Sequence, residues 1–194
     1  MKNRMKSYLQ AQMNFTSYEA ERILYGMQGI TIELSKLFIL LFIAFPFGYA
    51  DEILITTIVL LSIRCNCGGL HVSHYISCFM FTSIFYSSVI LISACPLPNS
   101  FLAFGLLMCS SLFTFIGPIT SPMRPRLTPP EVLKYSHRVT LLLLIYSSAL
   151  ILLESLPYRN LIYWVIVLQI FQLLCAKIAR KGEIYEKIYD TKDL

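Results

Sequence analysis

The stretch RCNCGGLHVSHYISCFMFTSIFYSSVILISA, residues 64–94, joins a short polar motif to a long apolar run. The run, residues 76–94, is close to the roughly 20 residues that a helix needs to cross a bilayer. The motif before it contains cysteines, histidines and a pair of glycines, and another apolar run ends at residue 63. The motif is therefore expected to lie where two membrane helices meet at the membrane surface.

Composition places the whole chain in the membrane class. Hydrophobic residues make up 56% of the 194 residues and charged residues only 14%, which is more apolar than soluble domains usually are. Six apolar runs are present, at residues 31–49, 52–63, 76–94, 101–117, 139–156 and 161–176. The pattern predicts an all-α polytopic membrane protein with about six transmembrane helices. The second run spans only if its helix continues to Cys67; otherwise it enters the membrane part way.

The N-terminal segment predicts an amphipathic helix at the membrane interface. Thr16-Ser17-Tyr18-Glu19 is a capping-box pattern, in which Thr16 begins the helix and Glu19 caps it in return. We expect one integral membrane domain over residues 1–194. Within it, residues 1–30 form the interfacial segment, 31–177 the six-span core and 178–194 a cytoplasmic tail.

Charge placement predicts the orientation. With six spans, nearly all lysines and arginines fall on one side, whereas the other side carries Arg159, Asp51 and Glu52. Because basic residues collect in cytoplasmic loops, both termini and the 64–78 motif are expected at the cytoplasmic face of the cell membrane. The net charge of +5 follows from this bias. It indicates contact with anionic lipid and does not indicate nucleic-acid binding.

The motif contains the groups of a thiol nucleophile. A free cysteine has a pKa of about 8.5, so a neighbouring imidazole is needed to hold a thiolate. His74 precedes Cys78 by one helical turn, whereas His71 would lie about 10.5 Å away along an unbroken helix. Spacing alone favours His74 and leaves the choice between the two histidines open. The glycine pair permits a sharp turn and close approach of a substrate chain.

Other interpretations of the polar residues remain. Cys65, Cys67, His71, His74 and Cys78 are possible zinc ligands, although their spacing matches no common zinc signature. A non-enzymatic metal-binding membrane protein and a membrane transport or export protein are the alternative functions. Glu33 and Lys36, in the first apolar run, either form an i,i+3 ion pair near the headgroups or serve the site, with Glu33 orienting a catalytic histidine.

The segment Arg64-x4-Gly69-x-His71-x6-Cys78, the preceding glycine, the chain length and the six runs resemble the accessory gene regulator B (AgrB) family. These are membrane cysteine endopeptidases of Gram-positive quorum sensing. The resemblance implies His71 as base and Cys78 as nucleophile, with Arg64 and Gly69 in supporting positions. It further implies that the helix carrying Cys78 begins after His71, and that no metal or other cofactor takes part.

The resemblance also implies a substrate. It is a pheromone precursor peptide with an amphipathic leader, a core and an acidic tail, which is cleaved through a thioester and closed to a thiolactone or lactone. The basic, proline-rich loop over residues 117–138 contains Arg124 and Arg126, which either bind that acidic tail or set the orientation of the loop. A homodimer is possible.

Overall fold

The computed structural model describes residues 7–8, 11, 15–68, 74–119 and 128–190. In the part of the chain that is described no strand occurs, and the structure consists of long helices. They are α1 Ser17–Ala44, α2 Ala50–Cys67, α3 Tyr75–Ser93, α4 Asn99–Ile116, α5 Pro129–Leu152 and α6 Arg159–Asp190, with a 3₁₀ turn at Phe45–Phe47. The predicted all-α fold is thus confirmed.

Five helices in the described part of the chain are long and apolar enough to cross a membrane, namely all except α2. Helix α2 has 18 residues and carries Asp51 and Glu52 in its first turn and Arg64 in its last. It does continue to Cys67, as a spanning helix would require, and its length corresponds to about 27 Å. The chain is therefore a polytopic helical membrane protein.

Two helices begin with the same reciprocal cap. At the start of α1 the Thr16 hydroxyl accepts from the Glu19 backbone N–H, and the Glu19 carboxylate accepts from the Thr16 N–H at 2.9 Å. Thr128 and Glu131 repeat this arrangement at α5. The predicted capping box is thus confirmed. Because α1 continues without a break to Ala44, the predicted interfacial helix and the first apolar run form one helix.

Helix α6 lies at the centre of the bundle. Half of its most apolar segment is buried, a larger share than in the other candidate spans, and it packs against α2, α3 and α4. In contrast, many large apolar side chains on the bundle surface are exposed, including Phe42 at 84% and Phe115 at 81%. Such a surface is unfavourable in water and suited to lipid.

Contacts near the helix termini lie at two ends of the bundle. One end, here called the motif end, joins the last turn of α2 to the end of α4, since the Ile119 N–H donates to the Cys67 carbonyl at 2.8 Å. Lys177 of α6 also lies there and donates to the carbonyl of Ile116 at 2.8 Å.

The other end, here called the opposite end, joins the starts of α2, α4 and α6. Arg159 donates to the Asn99 side chain, and Asn160 donates to the Cys95 carbonyl at 3.2 Å. Partial burial and the carboxylates of Asp51 and Glu52 raise the pKa of the Tyr158 phenol, which connects this end to α2.

Candidate active site

Cys78 lies in the first turn of α3, which begins at Tyr75. The start of the helix after residue 71 is what the family resemblance implied. The Cys78 N–H donates to the His74 carbonyl at 3.0 Å, and the side chain is 4% exposed. A thiol in the first turn lies near the positive end of the helix dipole.

A lysine from another helix contacts this thiol. Lys36 of α1 places its Nζ 3.2 Å from the Cys78 Sγ and 3.1 Å from Glu33 Oε1. The side chain of Lys36 is 1% exposed, and that of Glu33 is 28% exposed. Arg64, in the last turn of α2, lies 3.9 Å from the same carboxylate oxygen. Helices α1 and α2 therefore place a lysine against the cysteine, with a carboxylate beside that lysine and an arginine beside the carboxylate.

The structure describes one of the two candidate histidines, His74, but not His71. His71 and Gly69 lie outside the described residues, as do Arg124 and Arg126. His74 is described: it is exposed and immediately precedes α3. Among the described residues the hydrogen-bond partner of the Cys78 sulfur is Lys36. The spacing argument for His74 is not supported there by a side-chain contact with Cys78. Glu33 contacts Lys36 and Arg64, and its predicted partnership with His71 remains a prediction.

Gly68 ends α2 in a conformation that few other residues adopt. Its φ of 76° and ψ of −154° lie in a region essentially restricted to glycine. A Cβ at this position would collide with the backbone carbonyl of Ile119. The Gly68 carbonyl accepts from Gln169 Nε2 of α6 at 3.3 Å. The end of α2, which leads into the segment with the two histidines, is thus held by Gln169 of α6 and by the backbone of Ile119 after α4.

The remaining cysteines are not assembled into a metal centre in the described part of the chain. Cys65 is exposed and Cys67 buried, and no group of three or more described His, Cys, Asp or Glu residues is placed to hold a metal ion. Cys109 is 6% exposed within the apolar core, as expected for a small hydrophobic side chain. Cys95 is exposed at the opposite end.

The sequence did not predict the contact of Lys36 with Cys78, nor the contact of Gln169 with the end of α2. The ion pair between Glu33 and Lys36 is present, as one of the two alternatives expected, but the sequence did not predict that Lys36 is buried against Cys78. The available signal was a lysine inside an apolar run, where ionisable groups are costly. Gln169 gave a similar signal, because it is a polar residue within the apolar run over residues 161–176; in the structure its side chain is fully buried.

These features define a class: a polytopic helical membrane protein with a buried thiol held beside a cation at one end of its bundle. The sequence profile of the family described as accessory gene regulator B matches residues 2–173. The chain belongs to this family, whose role is in quorum-sensing peptide processing. No match was found to a curated protein or to a solved structure.

Proposed function

We propose that the chain is a membrane cysteine endopeptidase that removes the C-terminal tail from a pheromone precursor and promotes cyclisation of the remaining core. The observation that carries the proposal is the Cys78 thiol, buried in the first turn of α3 with the Lys36 ammonium 3.2 Å from its sulfur. Membership of a peptide-processing family supports this reaction over transport. The active site would face the cytoplasm, in keeping with the distribution of basic residues.

The reaction would use Cys78 twice. The thiolate adds to the carbonyl carbon of the bond between core and tail, and the carbon–nitrogen bond breaks. The departing tail nitrogen takes a proton from the His71 imidazolium, which leaves the core as a thioester on Cys78. A core cysteine or serine then loses its proton to His71 and attacks the thioester carbonyl. Cys78 leaves as a thiolate, and the core closes to a thiolactone or lactone.

Ring closure must occur faster than hydrolysis. A thioester and a thiolactone have similar free energies, so the outcome depends on holding the core side chain close to the acyl carbon. Burial of Cys78 supports this, because a site within the bundle limits access of water to the intermediate. Arg64, near the same end, would help to position the substrate or the loop.

Co-expression with a precursor peptide tests the proposal. The probe is the product of a small neighbouring reading frame, with an amphipathic leader, a Cys or Ser in the core and an acidic tail. Wild-type protein should release the tail and carry a hydroxylamine-sensitive adduct on Cys78, detected by mass spectrometry. Cys78→Ala and His71→Ala should each lower cleavage by at least about 10²-fold. The buried-cysteine control Cys109→Ala should cleave normally.

Two alanine variants test which histidine is catalytic. His74→Ala should retain cleavage; an inactive His74→Ala with an active His71→Ala would reverse the assignment. Cleavage that survives Cys78→Ala would overturn the peptidase proposal. Loss of wild-type cleavage in EDTA, restored by zinc, would favour the metal-site alternative.

A further inference from the structure

The position of Lys36 is difficult to explain by stability alone. Its side chain is 1% exposed, and the other buried side chains described on α1 are apolar: Ala20, Leu24, Leu40 and Ala44. A charged lysine in the membrane region is costly and is usually paired or functional. Replacing a buried ion pair by apolar residues is often neutral or stabilising. The pair with Glu33 therefore satisfies the charge of Lys36 without explaining why a lysine is present.

The geometry at the sulfur indicates a chemical role. An ammonium group donates hydrogen bonds and has no lone pair to accept one, so across the 3.2 Å contact Cys78 Sγ is the acceptor. A neutral thiol is a weak acceptor, whereas hydrogen bonds to ionised acceptors are about twice as strong as neutral ones. The contact between Lys36 and Cys78 is therefore most favourable when Cys78 is a thiolate.

We infer that Lys36 is a further catalytic residue, which keeps Cys78 ionised before the substrate binds. The inference rests on the proposed function in so far as Cys78 is the nucleophile. Lys36 remains protonated through the reaction. It loses a strong acceptor when the sulfur becomes a thioester and regains it when Cys78 leaves during ring closure, so the same contact favours both the attacking and the departing thiolate.

This assignment divides the work between two residues. Lys36 holds the thiolate, and His71 supplies a proton to the leaving tail nitrogen and takes one from the ring-closing side chain. Glu33 then acts as a positioning residue, because its carboxylate lies 3.1 Å from Lys36 Nζ and within 3.9 Å of Arg64. Removing His71 should therefore abolish cleavage without changing the reactivity of Cys78 toward a simple alkylating reagent.

Alkylation kinetics without any peptide test the inference. The full-length protein in membranes is treated with iodoacetamide across a range of pH, and each cysteine is quantified by peptide mass spectrometry. Cys109 is the internal reference, because at 6% exposure it is buried about as deeply as Cys78 at 4%. At pH 7 Cys78 should react at least roughly tenfold faster than Cys109, since an opposite charge at this distance favours the ionised form.

Variants identify the cation responsible. Lys36→Met should remove most of the rate advantage at pH 7 and shift the alkylation profile to higher pH, whereas Lys36→Arg should retain much of it. Lys177→Met is the matched control, because Lys177 lies at the motif end and donates to backbone carbonyls of α4; it should react as wild type. His71→Ala should also react as wild type.

The outcomes separate the two proposals. If Cys78 reacts no faster than Cys109, or if Lys36→Met leaves its rate unchanged, the role of Lys36 is wrong even where peptide cleavage is observed. If His71→Ala slows alkylation as much as Lys36→Met does, the division of work is wrong. Rapid, Lys36-dependent alkylation in a protein that cleaves no precursor would leave the thiolate contact intact and overturn the peptidase proposal.

Discussion

The two ends of the bundle use polar side chains in different ways. At the opposite end, Asn99 and Glu154 are exposed; the Asn99 side chain donates to the Glu154 carboxylate and accepts from Arg159. At the motif end, Lys36 is buried and contacts a thiol. Hydrogen bonds of this kind contribute about 0.5–1.5 kcal/mol each, whereas burying a lysine is costly. The difference indicates that the opposite end ties connections together and that the motif end is built for reactivity.

The largest expected effect concerns the sides of the membrane on which the two ends lie. Cys65 at the motif end and Cys95 at the opposite end are both exposed. If the charge distribution sets the orientation, a membrane-impermeant maleimide should label Cys95 on intact cells and Cys65 only after permeabilisation. Labelling of intact cells should therefore be lost in Cys95→Ser and kept in Cys65→Ser. The reverse pattern would place the thiol site outside and contradict the proposed cytoplasmic reaction.

The next effect concerns the glycine that closes α2. Gly68 and Gly117 have nearly the same backbone conformation, with φ of 76° and 68°, so alanine at either should introduce roughly 1–3 kcal/mol of strain. Only at Gly68 would the new methyl group collide with the Ile119 carbonyl, whereas the space at Gly117 is open. We therefore expect Gly68→Ala to lower both the melting temperature and cleavage more than Gly117→Ala. Equal losses would show that the contact with Ile119 does not support the site.

A smaller effect distinguishes the carboxylates of the two ends. Glu33→Gln removes the charge that pairs with Lys36 and should lower kcat for precursor cleavage by roughly tenfold with little change in KM. Breaking a fully buried pair costs about 3–5 kcal/mol, and the smaller expectation follows because the Glu33 side chain is 28% exposed. Glu154→Gln at the opposite end should leave kcat unchanged. A Glu33→Gln protein with wild-type kcat would remove Glu33 from the site.

The sequence predicted the features that depend on neighbouring residues. Run length predicted the helices, and the Thr16–Glu19 spacing predicted the start of α1, because both depend on interactions within a few residues. The contact between Lys36 and Cys78 joins residues 42 positions apart on different helices. Such a contact depends on the packing of α1 against α3, which no periodicity records. The sequence thus named Cys78 as a candidate nucleophile and did not identify the cation that contacts it.

The choice between the histidines illustrates the same limit. Helix geometry favoured His74 on the assumption of an unbroken helix, but α3 begins at Tyr75 and leaves His74 just outside it. The family resemblance implied a helix that begins after His71, which the structure confirms. The family resemblance therefore supplied information on where α3 begins, which the local spacing could not provide.

The smallest expected effect concerns the basic loop between α4 and α5. Its first residues lie at the motif end, since the Ile119 N–H donates to the Cys67 carbonyl, and Arg124 and Arg126 follow Ile119 by five and seven residues in the chain. We propose that they attract the acidic tail of the precursor. Exposed ion pairs contribute about 0–1 kcal/mol each, so Arg124→Ala combined with Arg126→Ala should raise KM by only a few-fold, leave kcat nearly unchanged and weaken the dependence of KM on salt.

Arg159→Ala provides the matched control for this loop, because it removes an arginine from the opposite end, where the side chain donates to the Leu150 carbonyl at 2.8 Å. It should lower thermal stability slightly and leave both KM and its salt dependence as in wild type. If the double variant behaves in the same way, the loop arginines set membrane orientation and do not bind substrate. If Arg159→Ala raises KM as much as the double variant does, the effect of charge is general, and the functional difference between the two ends does not extend to substrate binding.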